Sequence, residues 1–224
     1  DQRKDSAFTI FYMGINIGAF LAPLIAGGLG DTGNPADFKW GFLSAAIGMT
    51  VGTLVFHFFK DRHIVDAAGV PLGLPPAEHS QDRKNHLDTP LNRQDWERVS
   101  VIFILSFFVI FFWAAFEQAG ASLTVFADRQ TDRDILGWTM PASWFQSVNA
   151  VAIVIFAPIF AMIWSALGKR GLDPSTPVKM SFGFVFLAIG YLVIAFGVNG
   201  VEPTAKVSMM WLISLYLLHT FGEL

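Results

Sequence analysis

Six apolar stretches without Lys or Arg follow one another along the chain, separated by polar segments. Each is long enough to cross a bilayer as a helix, which takes roughly 20 apolar residues. The pattern therefore predicts an all-α, polytopic helical membrane protein. The predicted spans are residues 8–30, 40–59, 99–127, 141–167, 180–198 and 207–224.

The composition agrees with this class and excludes several others. Hydrophobic residues make up 53% of the chain and charged residues 15%, a balance that aqueous globular domains rarely have. The absence of cysteine excludes disulfides and thiolate metal sites. No nucleophile–base pair, metal-ligand cluster or phosphate-binding loop is recognisable, since residues 27–33 (GGLGDTG) look like a helix exit and turn. We therefore expect neither an enzyme nor a cofactor, and no nucleic-acid partner.

The basic residues are distributed unequally between the two ends of the predicted spans. If the spans alternate in direction, one side collects only Lys39, Arg129, Arg133 and Lys206. The other collects Arg3, Lys4, Lys60, Arg62, Arg83, Lys84, Arg93, Arg98, Lys169, Arg170 and Lys179. The positive-inside rule makes this richer side cytoplasmic. Residues 1–7, 60–98 and 168–179 are thus predicted to face the cytoplasm, most simply at a bacterial inner membrane.

The polar segment 61–98 divides the predicted helices into two groups. Its early prolines and glycines and its later mixed charges are typical of a connector. Residues 1–60 would then be the last two helices of an N-terminal bundle, and residues 99–224 the first four of a C-terminal bundle. Because the chain begins with Asp1 and stops one residue after Glu223, we expect it to be an internal fragment of a longer protein.

Two carboxylates lie inside the predicted spans, Glu117 in the third and Glu223 in the sixth. A charged side chain in the hydrocarbon layer is costly, so the default interpretation of such a residue is functional. Trp113 lies one helical turn before Glu117, which favours an aqueous cavity or a buried ion pair there. His219 lies one turn before Glu223, where either a proton-relay role or a structural hydrogen bond is consistent with the pattern.

Other polar residues share helix faces with aromatic ones. Asn16 lies four residues after Tyr12, and Asn149 four after Phe145. For Asn16, an interhelical hydrogen bond and a cavity-lining role are equally consistent with the sequence. Gly14 and Gly18 form a small-xxx-small pair, which predicts close approach by a neighbouring helix.

Short motifs along the chain resemble those of a known family. They are FYMGIN in the first span, FFWAAFEQ in the third, PASWFQSVN in the fourth, PSTPVKM after it, and the terminal FGEL. In this order they resemble the proton-dependent oligopeptide transporters, a branch of the major facilitator superfamily. The resemblance implies that the six spans are helices five to ten of a twelve-helix core.

The resemblance also implies a function and a site. Similar proteins import di- and tripeptides with protons by alternating access between two bundles. Asn149 and Glu223 match residues that hold the peptide's amino terminus, and Asn16 matches a cavity asparagine. Trp113 and Glu117 match an aromatic residue and an acid near the outer gate, the acid being linked with proton coupling.

The chemistry of these residue types is consistent with those roles. Aromatic side chains such as Trp113 and Phe145 would accept varied peptide side chains by shape. The expected partners are small peptides, protons and the lipid bilayer. Alternatives are a carrier of nitrate or another small solute, a drug exporter, and a transport-inactive membrane sensor.

Overall fold

The computed structural model describes residues 2–65, 91–202 and 204–224, and within this part of the chain the secondary structure is almost entirely helical. Three 3₁₀ turns connect or begin α-helices: Pro35–Asp37, Glu117–Gly120 and Ala142–Gln146. The α-helices are α1 (Gln2–Gly30), α2 (Phe38–His63), α3 (Arg93–Phe116), α4 (Ser122–Gln130), α5 (Ser147–Lys169), α6 (Thr176–Gly197) and α7 (Met209–Glu223).

The helices confirm the predicted all-α membrane architecture. Within the described residues, five helical segments are long and apolar enough to cross a membrane. The sixth predicted span is helical as α7, which at 15 residues is shorter than the others. The five segments are Phe11–Gly30, Pro35–His63, Arg93–Gln130, Ala142–Lys169 and Thr176–Gly197.

The chain divides into two compact units, one formed by residues 1–42 and 108–224 and the other by residues 43–107. The second unit contains the later part of α2 and the earlier part of α3. Most of the predicted connector, residues 66–90, lies outside the described residues. The proposed division into 1–60, 61–98 and 99–224 therefore stays a prediction.

Local sequence explains where α3 begins in the second unit. The Asn92 side chain accepts a hydrogen bond from the Asp95 backbone at 2.9 Å, and the Asp95 carboxylate accepts one from the Asn92 backbone at 3.1 Å. This reciprocal pair satisfies two backbone donors that the first helical turn leaves unpaired.

In the first unit, α4, the 3₁₀ turn before α5, and α7 form a buried apolar core. A short parallel pair of strands, β1 (Thr131–Asp132) and β4 (Val207–Ser208), fixes the start of α7 beside the end of α4. An antiparallel pair, β2 (Asp134–Ile135) and β3 (Trp138–Thr139), forms the hairpin before α5. The buried core residues are Leu123, Ala127, Ala142, Phe145, Leu212, Leu215 and Tyr216.

The third predicted span is not one continuous helix, and this is a correction to the sequence prediction. The α-helix ends at Phe116, a 3₁₀ turn follows, and Ala121 has φ −118° and ψ −100° before α4 begins. Carbonyl groups freed by such a break must find new donors in a membrane. The Tyr191 hydroxyl donates to the Ala115 carbonyl at 2.6 Å, and Thr124 Oγ1 to the Ala119 carbonyl at 2.7 Å.

Helix α1 packs against α5 and the 3₁₀ turn before it. The Asp31 carboxylate accepts a hydrogen bond from the backbone N–H of Ala142 at 3.0 Å, and Ser147 Oγ donates to the Phe20 carbonyl at 2.9 Å. The predicted helix exit is confirmed, because α1 ends at Gly30 and Gly33 takes a positive φ of 87°.

Within the described residues no other helix approaches Gly14 or Gly18 closely, so the predicted close approach stays a prediction. A Cβ at either position would meet no described atom within 4 Å. A close contact of α1 lies farther along, at Gly27, where a Cβ would overlap Ser143 Oγ. A small residue is needed at the end of the helix because the 3₁₀ turn before α5 packs against α1 there.

Candidate functional site

Glu223 lies at the end of α7, where a polar network joins that helix to α5. Asn149 Nδ2 on α5 donates to Glu223 Oε2 at 3.1 Å and to Thr220 Oγ1 at 3.0 Å. Thr220 in turn donates to the Tyr216 carbonyl at 2.8 Å. The structure thus brings together Asn149 and Glu223, which the sequence had placed in different spans.

No cation neutralises the Glu223 carboxylate within residues 2–65, 91–202 and 204–224, since none of their ion pairs includes it. The side chain is half-buried. A carboxylate taken partly out of water without a cation is unfavourable, so the position is suited to a positively charged ligand or a proton. In the same described residues, no group of His, Asp and Glu could hold a metal ion.

Helix α1 contributes to the surroundings of this carboxylate. The Tyr12 hydroxyl is close enough to Glu223 for an electrostatic interaction. Asn16, one turn farther along, is 5% exposed and donates through Nδ2 to the Tyr12 carbonyl at 2.9 Å. This intrahelical bond of Asn16 differs from the interhelical bond considered from the sequence.

Trp113 and Glu223 line the same cleft, of about 150 Å³. Trp113 is 43% exposed and makes an edge-to-face contact with Phe116, the ring centroids being 5.3 Å apart. An acid and an accessible indole in one cleft provide a charged end and an apolar wall. The remaining lining residues are Val109, Phe112, Met180, Gly183, Phe184 and Gly222.

Phe145 and Glu117 do not join this arrangement. Phe145 is 1% exposed and belongs to the apolar core, so in this conformation it has no surface to offer a ligand. Glu117 begins the 3₁₀ turn that interrupts the third span and is exposed. Among the described residues it forms no ion pair, so the buried ion pair considered for it is not found there.

His219 is sealed inside the helix packing. It is 2% exposed, and its ring lies against Tyr191, with centroids 4.9 Å apart, and against the backbone of Gly190. Its Nε2 atom is buried and has no hydrogen-bond partner among the described residues. No hydrogen bond joins His219 to Glu223 in this part of the chain. The ring is explained by its packing against Tyr191 and Gly190, and both the proton relay and the structural hydrogen bond considered for it stay predictions.

Thr220 is the member of the site that the sequence analysis missed. It is fully buried, at 0% exposure, between Asn149 and the Tyr216 carbonyl. The available signal was its spacing, because residues three apart share a helix face and Thr220 lies three before Glu223. The Thr220 hydroxyl is a polar group in an apolar span beside an intramembrane carboxylate, and in this respect Thr220 resembles Asn149 and Glu223, which the sequence did indicate.

Comparison with known proteins identifies the family. The profile described as the POT family matches residues 1–64 and 78–224. The chain belongs to the POT family.

Relatives within the POT family are named as peptide transporters. The chain is 32% identical to the peptide transporter YePEPT of Yersinia enterocolitica, covering 100% of this chain and 54% of that protein. It is 26% identical to a di-/tripeptide transporter of Lactococcus lactis, again covering 100% of the chain and 54% of the relative. The chain thus spans about half the length of the relatives it matches.

Solved structures of the POT family agree with the fold. A mutant peptide transporter POT crystallised with alafosfalin superposes with a TM-score of 0.72 at 30% identity. The match covers 100% of this chain and 53% of that one. This part of the chain accordingly has part of the major facilitator fold, as expected, and the protein is an integral membrane protein.

Proposed function

We propose that the protein is a proton-coupled symporter that imports di- and tripeptides by alternating access. The observation that carries the proposal is the half-buried Glu223 carboxylate, which hydrogen-bonds to Asn149 and has no described cation beside it. Membership of the POT family and the names of the relatives support the substrate class.

The amino terminus of a peptide carries the positive charge and the N–H donors that would complement the Glu223 carboxylate. An ammonium group would place a positive charge and three N–H donors beside Glu223. Charge-assisted hydrogen bonds of this kind are shorter and roughly twice as strong as neutral ones. Trp113 supplies an apolar wall in the same cleft, which suits side chains of varied shape. Asn16 is proposed as a further substrate-binding residue on α1, one turn after Tyr12.

For proton coupling we propose Glu117 together with Glu223. Glu117 is exposed at the interruption between α3 and α4, where a proton could reach it and where helix geometry can change. We assign no proton role to His219, which is sealed from solvent. We further propose that residues 1–7, 60–98 and 168–179 face the cytoplasm of a bacterial cell, following the asymmetry of the basic residues.

The test is uptake of labelled dialanine into liposomes that contain the full-length protein, driven by an inward proton gradient. Glu223→Gln keeps the shape of the side chain and removes its charge, so we expect uptake to fall at least tenfold. Glu202→Gln is the matched control, because Glu202 is an exposed acid after α6, and it should transport normally. Uptake that persists after the gradient is dissipated would contradict proton coupling.

The variant Glu117→Gln tests proton coupling separately from peptide binding. If Glu117 couples the proton, the variant should lose gradient-driven uptake and retain exchange of dialanine across the membrane. Equal loss of both activities would indicate a structural role at the helix interruption. Transport of a solute without an amino group, such as nitrate, with no response to dialanine would overturn the peptide proposal altogether.

A further inference from the structure

The hydroxyl of Thr220 is placed so that it can only accept a hydrogen bond from Asn149. A threonine hydroxyl has one proton. In Thr220 that proton is used in the 2.8 Å bond to the Tyr216 carbonyl. The Thr220 side chain is completely buried, so water does not provide an alternative partner. The second atom that lies within hydrogen-bond distance of Thr220 Oγ1, at 3.0 Å, must therefore be a donor. That atom is Nδ2 of Asn149.

This arrangement determines which way the Asn149 amide faces. Both N–H groups of Nδ2 are occupied, one by Thr220 and the other by Glu223. The Oδ1 atom accepts no hydrogen bond from any residue the structure describes, and it is not a buried unpaired atom. Asn149 therefore presents a free acceptor next to the Glu223 carboxylate.

Glu223 alone could not hold the amide in this way throughout a transport cycle. When its carboxylate binds an ammonium group or a proton, it becomes a weaker acceptor for Nδ2. The Thr220 oxygen does not change in those states, because it is neutral and its proton is already committed. Thr220 thus keeps Oδ1 available at the time when a substrate amino group occupies the site.

We propose that Thr220 is a positioning residue that orients Asn149, so that Oδ1 and the Glu223 carboxylate together accept the substrate's ammonium group. The consequence is selectivity for a free, charged amino terminus over an acylated one, which carries no charge and fewer donors. This inference rests on the proposed function and adds the residue that sets the specificity of the site.

The test compares Thr220→Val with Thr220→Ser in the full-length protein. Valine replaces the hydroxyl by a methyl group of similar size, whereas serine keeps the hydroxyl. The probes are dialanine and N-acetyl-dialanine, used as competitors of labelled dialanine uptake. Loss of one hydrogen bond corresponds to about a fivefold to tenfold change in affinity. We expect Thr220→Val to raise KM for dialanine by that factor with Vmax within about twofold.

The decisive readout is the ratio of the two inhibitory concentrations. Thr220→Val should narrow the preference for dialanine over N-acetyl-dialanine by about fivefold to tenfold, and Thr220→Ser should keep it. In an Asn149→Ala background, Thr220→Val should add nothing, because its effect passes through the Asn149 amide. Thr220→Ala also lacks the hydroxyl and is the second variant if the valine protein does not fold.

The outcomes are distinguishable. An unchanged ratio in folded Thr220→Val and Thr220→Ala would overturn the positioning role, as would equal damage by Thr220→Ser. An additive loss in the Asn149→Ala background would show that Thr220 acts through packing. A parent protein with no preference between the two peptides would instead overturn the proposed function, and the positioning role with it.

Discussion

Gly183 on α6 and Gly222 on α7 meet backbone to backbone. A Cβ at Gly183 would lie 2.7 Å from the carbonyl oxygen of Gly222, and one at Gly222 would lie 2.8 Å from the carbonyl oxygen of Gly183. Because both obstructing atoms belong to the backbone, no side-chain rotation can relieve the clash. The contact adjoins Glu223 in sequence, so the packing of α6 fixes the position of the carboxylate.

Gly183→Ala and Gly222→Ala should therefore each destabilise the protein by about 1–3 kcal/mol, the usual range for forcing a methyl group into a filled space. The matched control is Gly52→Ala in α2, where a Cβ meets no described atom within 4 Å. Alanine there should be neutral or slightly stabilising, because it favours the helix. Thermal unfolding in detergent measures all three, and equal melting temperatures would contradict the close contact.

The bond between Asp31 and the Ala142 backbone joins the end of α1 to the turn before α5. If the proposed orientation is right, this contact would lie on the extracellular side, where it would help to close the outer entrance. Asp31→Ala removes the acceptor, whereas Asp31→Asn keeps one. We expect Asp31→Ala to open the contact at least about tenfold more often, consistent with the loss of one hydrogen bond to a charged group.

Labelling of Ser143→Cys from the outside measures that opening. Ser143 Oγ is buried against Gly27, and the chain contains no cysteine to give a background signal. Asp37→Ala is the control, since Asp37 binds Thr32 within its own turn and does not reach α5 in the described contacts. Labelling that is equally slow with Asp31→Ala would show that the bond does not hold the two elements together.

The helices were predictable from the sequence for physical reasons, whereas the pairing of Asn149 with Glu223 followed from the resemblance to the transporter family. Long runs without Lys or Arg have one stable form in a bilayer, because a helix satisfies its own backbone. Asn149 and Glu223 were recognised as polar exceptions in apolar spans, and they do meet across α5 and α7. Such residues must find partners, so isolated polar positions on different helices tend to come together.

Features that depend on three-dimensional packing were not predictable in the same way. The interruption at Glu117 follows neither a proline nor a run of glycines, and it is stabilised by Tyr191, which is distant in sequence. Phe145 resembled a cavity-lining residue by spacing, but the 3₁₀ turn directs it into the core. Periodicity assigns residues to a face, and only the packing shows what that face contacts.

His219 provides a test of packing against proton transfer. Its ring fills space beside Gly190 and Tyr191, so His219→Ala should leave a cavity and destabilise the protein by about 2–4 kcal/mol. His57→Ala is the control, because His57 is exposed and its loss should change stability little. The pH profile of uptake by the folded fraction should match that of the parent. A shift in the pH profile of uptake by His219→Ala would indicate that His219 takes part in proton transfer.

The hydroxyl of Tyr191 offers a last test, of how the interrupted helix is held. It donates to the Ala115 carbonyl at 2.6 Å, whereas the Tyr216 hydroxyl is 3.4 Å from the Ala119 carbonyl, beyond the usual length of such a bond. Tyr191→Phe should therefore cost about 1 kcal/mol of stability, while Tyr216→Phe should be close to neutral.

The two variants remove the same atom from the same residue type, so their difference isolates the hydrogen bond. Thermal unfolding should rank Tyr191→Phe below Tyr216→Phe and the parent. Gradient-driven uptake by the two variants is a second measurement. Tyr191→Phe leaves the Ala115 carbonyl without this donor, and that carbonyl lies just before Glu117. If Tyr191→Phe melts like the parent, the interruption does not depend on this donor and must be maintained by the core packing of α4.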